Sequence, residues 1–278
     1  MGQQRTEAIV LRATDFGESD RIVHLFTRDF GRVRGVAKGA KRSLKRFVGS
    51  LEPLVRVDLR FFEKRNADLV RIEASTLRAQ FPGIRACLEK YGEACLVVEI
   101  VTLATGEREV HRPLFDTLAR GLALIDRLED WPAKGEGVGR LLETRVLSLV
   151  GFEPEVTACV RCRKALDRIT RAAFCIPRGG VLCEECVRGE RDLIPVGLAT
   201  LRLLAQGLRA DLDLFPRFTW TPASCTEAAR ALHAFAQVQI GRELRTLRFR
   251  EGLARSTARG GAQGPFALAT RPDPGSAA

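Results

Sequence analysis

Four of the chain's eight cysteines spell Cys159-x2-Cys162-x20-Cys183-x2-Cys186. At this cysteine frequency a chance Cys-x2-Cys arises roughly 0.2 times per chain, so two within one short window carry a strong signal. Each pair can form a knuckle presenting two thiolates, and the insert lets the two knuckles converge on one tetrahedral zinc ion. Between them, Arg178, Gly179 and Gly180 sit between two apolar stretches, the pattern of a hairpin turn that delivers the second knuckle. Four thiolates leave no open position for water, so the expected zinc is structural and not catalytic. A segment of this length cannot bury enough apolar area to fold alone, and a structural zinc contributes about 10–16 kcal/mol. Redox disulfides and an iron–sulfur cluster are the rival readings of the same thiols. Cys87, Cys95 and Cys225 read as small apolar residues, and Cys175 stands outside the ligand pattern.

The hydrophobic pattern changes along the chain. Residues 1–80 read as strands: residues 55–61 alternate, with Val55, Val57, Leu59 and Phe61 on one face and charges on the other. Shorter apolar runs at 8–11, 22–27 and 69–74 are separated by Gly17, Gly31, Gly49 and Pro53. Five short strands without a long helix imply a small barrel, and periodicity alone does not separate an OB-fold from an SH3-like barrel. From residue 81 the period is helical. Cys87, Tyr91, Cys95, Val98 and Thr102 form one stripe, and Leu114, Leu118, Leu122, Ile125 and Leu128 another. Residues 131–139, with one proline and three glycines, read as a loop before a short helix at 141–150. Helix returns at about 196–208. Ser224 and Glu227 have the capping-box form and open a last helix running toward Leu247. The expected division is a barrel at 1–80, helical segments at 81–158 and 192–250 around a zinc module at 159–191, and a disordered tail at 251–278. The tail expectation rests on composition: Gly, Ala, Pro and Ser make up 17 of its 28 residues. The fold class is therefore α+β.

Charge narrows the function. Lys and Arg number 45 against 34 Asp and Glu, a net charge of +11. A globular chain this basic is expected to meet a polyanion. No apolar run approaches the roughly 20 residues that span a bilayer, and no secretory h-region is evident, so a cytoplasmic protein without membrane partners is expected. The chain has three histidines, none near a cysteine in sequence, and no Gly-Lys dipeptide for a Walker A loop. Nothing resembles a nucleophile elbow or a paired-carboxylate site, so no enzyme is expected and no catalytic residue is assigned.

The basic charge is concentrated. Arg32, Arg34, Lys38, Lys41, Arg42, Lys45 and Arg46 place seven cations and no acid in fifteen residues. These seven are the candidate nucleic-acid-binding residues. Gly35, Gly39 and Gly49 could permit close backbone approach to a ligand, Ser43 and Ser50 could donate to phosphate, and Phe47 or Phe62 could stack on a base. A second basic patch is the zinc module, with eight Lys and Arg at 159–191.

Residues 6–27, reading TEAIVLRATDFGESDRIVHLFT, and residues 31–42, reading GRVRGVAKGAKR, resemble the RecO family of bacterial recombination mediators. The GFEP at 151–154 followed by the first Cys-x2-Cys is similar to that family's middle section. The resemblance covers about residues 5–250 and implies an N-terminal OB-fold β-barrel followed by an all-α domain with an inserted four-cysteine zinc module. It further implies binding of single- and double-stranded DNA and annealing of complementary strands, including strands coated by single-strand DNA-binding protein. Partnership with RecR in loading the RecA recombinase at gaps, and a nucleoid-associated cytoplasmic location, follow from the same resemblance. Arg163 departs from it, because the second ligand is commonly followed by glycine. The competing class is an RNA-binding transcription or translation factor built from an OB-fold and a zinc ribbon.

Overall fold

The computed structural model describes residues 2–43, 45–63 and 68–259, with side chains described through residue 252. The first five strands are β1 (Gly2–Phe16), β2 (Asp20–Thr27), β3 (Gly31–Ala37), β4 (Arg56–Glu63) and β5 (Val70–Ala79). They close into a barrel in the order β1-β2-β3-β5-β4, with β3 and β5 parallel and the other pairs antiparallel. This closure is that of an OB-fold. The length of β1 makes it possible: residues 2–9 pair with β4, residues 8–16 pair with β2, and the register slips between Val10 and Arg12 where the strand bends from one partner to the other. Alternation fills the interior with Ala8, Val10, Val23, Leu25, Val57, Leu59 and Phe61, all fully buried.

One end of the barrel is plugged by the segment between β3 and β4. Phe47 and Leu51 join the barrel core, and Ser50 donates to the Ser75 carbonyl at 2.9 Å. Phe47 is therefore a packing residue and Ser50 is already committed; neither stacks on a base nor donates to phosphate as the sequence pattern suggested. Gly35 is also inward-facing, since a Cβ there would meet Ile72 and Val70 side chains at 2.7 and 2.9 Å.

The helical part comprises α1 (Pro82–Ala86), α2 (Leu88–Ala104), α3 (Arg112–Arg127), α4 (Trp131–Leu149), α5 (Leu198–Arg209), α6 (Pro222–Ile240) and α7 (Arg245–Arg259). Three strands, β6 (Ala172–Cys175), β7 (Gly180–Cys183) and β8 (Leu193–Pro195), form a small sheet between α4 and α5. The barrel is joined to the helices by its outer surface. Ile9, Phe26 and Leu54 belong to the helical core, with the Phe26 and Phe115 rings 5.9 Å apart. Arg28 pairs with both oxygens of Asp116 at 2.9 and 3.0 Å, and Arg112 with Asp29 at 2.9 Å. Gly31 is needed here, because its φ is +61° and the Glu109 backbone lies directly against its Cα.

Residues 131–139 are not a loop but the first turns of α4. Their glycines are there for packing: a Cβ at Gly135 would collide with the Trp131 ring, one at Gly137 with the Trp220 ring, and one at Gly139 with the Glu93 carboxylate. Pro132 sits in the first turn, where its missing N–H costs nothing. The last helix is likewise two helices. Thr221, not Ser224, caps α6 by accepting from the Ser224 N–H at 3.1 Å, and Gly241 at φ +69° ends it. Residues 251–259, expected in a disordered tail, continue α7. The rest of that expected tail, 260–278, lies outside the described residues.

Inside the helical core, Arg140 is 3% exposed and reaches both oxygens of Glu93 at 2.9 Å and Glu143 at 2.5 Å. Arg250 of α7 adds a 2.8 Å contact to Glu93. Burial raises the Glu93 pKa, and Arg140 opposes that shift. Removing one member leaves a buried charge uncompensated, so Arg140→Leu is expected to destabilise the fold by about 3–5 kcal/mol in urea unfolding. His233 lies 3.3 Å from Glu143, yet burial first and the Arg140 charge second push its pKa down to about 3. The imidazole is thus neutral when folded and protonates below about 6.5 only when unfolded. Stability should fall as pH drops from about 6.5 toward 3, and His233→Gln should flatten that slope by about one proton, read from unfolding midpoints across this pH range.

Candidate nucleic-acid interface and metal centre

The four Sγ atoms of Cys159, Cys162, Cys183 and Cys186 all lie within 4.8 Å of one another, with Cys162 and Cys183 at 3.7 Å. Four sulfurs about 2.3 Å from a tetrahedral metal stand about 3.8 Å apart, so the cluster fits one ion. Local backbone geometry builds it. The Arg163 N–H returns to the Cys159 carbonyl at 2.9 Å, and the Cys186 N–H to the Cys183 carbonyl at 2.9 Å. The β6–β7 hairpin pairs Ala172 with Cys183, which places the second knuckle at the strand's end. Burial pushes the Cys159 thiol up, but the N–H groups of Cys162, Cys183 and Arg161 outweigh it and bring the pKa down to about 6. Burial and the neighbouring thiols push Cys186 up to about 12. Four thiols this close cannot all carry charge without a counter-ion among them, and a cation would supply it. Cys175 stands apart, its Sγ 4.0 Å from the Arg191 carbonyl.

The module is not a free appendage. Phe174 is fully buried and meets the Phe235 ring of α6 edge-on at 5.7 Å. Lys164 reaches Glu184 at 2.7 Å, and Glu184 also accepts from the Thr170 and Arg171 N–H groups. Arg163, where the resemblance leads to an expectation of glycine, adopts φ +61° and pairs with Glu155 at 3.1 Å. The knuckle turn is therefore kept by a strained arginine.

The basic segment divides into two groups. Lys38, Lys41, Arg42, Lys45 and Arg46 are exposed beyond the end of β3, in a loop held to the β1–β2 turn by the Gly39 N–H to Asp20 at 2.8 Å and the Lys41 N–H to the Ser19 carbonyl at 3.0 Å. Lys41 also pairs with Asp15 at 3.1 Å, and Arg46 donates to the Lys38 carbonyl at 2.9 Å while lying over the Phe47 ring. Lys38, Arg42 and Lys45 have no carboxylate within ion-pair distance among the described residues. Ser43 accepts from the Arg46 N–H at 3.1 Å, which shapes the loop. Phe62 is half-buried on β4. The aromatic that is exposed beside this loop is Phe16, at 55%, on the turn that carries the loop; its position depends on strand pairing and had no signal of its own in the sequence.

Arg32 and Arg34 face elsewhere. They lie on the outer face of β3 and line a groove of about 1200 Å3 between the barrel and the helices. Strand register places Arg12, His24 and Arg34 in one row across β1, β2 and β3. Burial, followed by Arg12 and Arg34, lowers the His24 pKa. The Arg34 Nε lies 2.9 Å from a Glu107 carboxylate oxygen, an ion pair without hydrogen-bond geometry, and the Arg32 Nε is likewise buried without a hydrogen-bond partner. The groove's opposite wall is the stripe Tyr91, Cys95, Val98 and Thr102. This stripe had the spacing of a core face, but α2 buries Ala94, Val97, Ile100 and Val101 instead and leaves the stripe mostly half-exposed.

A closed five-stranded OB-like barrel, a helical domain and a four-cysteine module make up the described chain, and its exposed cations gather on two surfaces. The chain belongs to the RecO family. Residues 1–81 match the family model "Recombination protein O N terminal" and residues 85–248 match "Recombination protein O C terminal". Curated relatives include the DNA repair protein RecO of Syntrophus aciditrophicus, 30% identical over 90% of this chain and 96% of that protein. Those of Syntrophotalea carbinolica and Anaeromyxobacter sp. strain Fw109-5 are 32% and 35% identical, covering 91% and 87% of this chain and 96% and 93% of theirs. No helix among the described residues is long and apolar enough to cross a membrane.

A non-glycine residue in the left-handed region costs about 1–2 kcal/mol, and the exposed Arg163–Glu155 pair returns about 0–1 kcal/mol. Arg163→Gly is therefore expected to raise the urea midpoint of the full chain, while Arg163→Ala, which keeps the strain and loses the pair, lowers it.

Proposed function

We propose that this chain is a DNA strand-annealing mediator that works without bond chemistry. It binds single- and double-stranded DNA and pairs complementary strands, including strands coated by single-strand DNA-binding protein. With a RecR partner it helps load RecA at gaps, in the cytoplasm at the nucleoid. The family membership supports the repair role. The observation that carries the binding surface is the exposed cations of the loop after β3, where Lys38, Arg42 and Lys45 have no carboxylate within ion-pair distance among the described residues.

Annealing requires that a second phosphate chain approach one already held. A cationic loop that neutralises part of the first strand's charge lowers that repulsion and releases its counterions. The loop is braced by the Phe47 plug and by the β1–β2 turn, so its charges are displayed from a fixed base. The eight cations of the cysteine module supply a second basic patch. The ion held by Cys159, Cys162, Cys183 and Cys186 is zinc in this reading, with an all-thiolate closed shell and a structural role. The acidic tail of single-strand DNA-binding protein docks on the helical domain.

The test is annealing of two complementary oligonucleotides, with and without single-strand DNA-binding protein, at two salt concentrations. Acceleration on coated strands that fades with salt is expected; binding without acceleration, or a preference for RNA over DNA, overturns the mediator reading. With Lys38, Lys41 and Arg42 all changed to alanine, the log–log salt slope for single-stranded DNA should become shallower by about 2. An unchanged slope removes the loop from the interface.

A further inference from the structure

We propose that the groove between the barrel and α2 is a second binding tract for single-stranded nucleic acid, continuous along β3 with the loop at 38–46. The inference rests on the DNA-binding reading above and adds a site that lies in neither the loop nor the cysteine module.

The groove is unusual in its charge balance. Arg12, Arg32 and Arg34 enter from the barrel, and Arg242, Arg245 and Arg248 from the corner between α6 and α7. Its acids are already engaged. Glu107 pairs with Arg34, Glu243 pairs with Arg248, and Glu99 accepts the Arg245 and Thr246 N–H groups at 2.9 Å each, at the start of α7. Arg12, Arg32, Arg242 and Arg245 are left without a carboxylate partner among the described residues. Arg12 and Arg34 stand on either side of His24 in one row across β1, β2 and β3, and the Arg32 Nε is buried beside it without a hydrogen-bond partner. An anion entering the groove would give Arg12 and Arg32 the counter-charge they lack.

The floor indicates which anion. Leu11, Leu54, Val98, Leu103 and Ile240 are apolar, and Tyr91, the chain's one tyrosine, lies among them. A single strand has both a phosphate chain for the arginine rim and exposed base faces for the apolar floor and the tyrosine ring. A duplex covers its base faces and would leave the floor unused. The groove's cations are arginines with no lysine among them, and the planar guanidinium fork matches phosphate oxygens two at a time. Position favours a nucleic acid over an acidic peptide: Arg34 is four residues from Lys38, or about 13 Å of strand, so one strand can pass from loop to groove.

Cys95 reports on occupancy because it lies on the groove wall. Alkylation of the full chain, followed by peptide mass measurement at Cys95, Cys87 and Cys225, should show oligothymidylate protecting Cys95 and sparing the other two. In parallel, the variant with Arg12, Arg242 and Arg245 changed to alanine should make the oligothymidylate salt slope shallower by about 2, additively with the loop triple variant. Cys95 left reactive at saturating oligothymidylate overturns the proposal, even if the loop variant still shows its own effect. Protection of Cys95 by an acidic peptide but not by oligothymidylate also overturns it and assigns the groove to a protein partner. Failure of the unaltered chain to bind oligothymidylate at all removes the DNA-binding reading and the groove together.

Discussion

Glu93 holds three helices at once. Buried on α2 with no exposure, it meets Arg140 of α4 and Arg250 of α7 and lies against the bare backbone of Gly139. A carboxylate taken fully out of water costs several kcal/mol unless cations and donors surround it, so both arginines must be in place for the core to close. Six residues further along α2, Glu99 accepts the first N–H groups of α7. Two carboxylates about 9 Å apart on one helix thus fix where α7 begins and how it lies. The corner that carries Arg242, Arg245 and Arg248 inherits its position from this interior network. A largely buried charge network thus sets the position of a cationic corner of the surface.

The barrel uses its outer surface in two ways. Around Ile9, Phe26 and Leu54 that surface is core, packed on α3 and backed by the Arg28–Asp116 pair. On the row of Arg12, His24 and Arg34 it is open and cationic. The bend in β1 between Val10 and Arg12 separates the two roles within a few residues. Arg12 and Arg34 flank an imidazole that burial keeps neutral, and they are the charges that the binding tract proposed above would use.

Much of this was legible in the sequence, and the exceptions share a cause. The two Cys-x2-Cys pairs, the alternation at 55–61 and the Leu114–Leu118–Leu122–Ile125 stripe depend on spacing within one element, and the structure reproduces each. Gly135, Gly137 and Gly139 read as a loop because glycine usually marks irregular chain. Here Trp131 presses on the α4 backbone at Gly135 from one turn away, while Trp220 and Glu93 arrive at Gly137 and Gly139 from distant positions that local sequence does not reveal. Cys87, Tyr91, Cys95, Val98 and Thr102 read as a core stripe because α2 is apolar on both sides. Which side is covered depends on where α3 and α4 lie, and local sequence does not encode that. The basic run at 32–46 read as one surface, while strand alternation sends Arg32 and Arg34 to the groove and the turn at Gly39 sends the rest to the barrel's end.

The cysteine module is linked through the core to a distant surface. Phe174, Val181 and Leu182 of its hairpin are buried in the same core as α4 and α6. Phe174 meets Phe235, one turn before Val238 and Ile240, where α6 ends and the groove wall starts. An ion tying the two knuckles together would hold the hairpin; the hairpin packs on α6 through Phe174 and Phe235, and α6 ends at the turn at Gly241 from which Arg242 and Arg245 project. Arg163 is informative in this light. The first knuckle accepts a left-handed arginine where glycine would carry no strain, which is tolerable only if the surrounding bonds more than repay it. The N–H return to Cys159 and the pair with Glu155 supply part of that support, and a tetrathiolate ion, worth about 10 kcal/mol or more, would supply the rest.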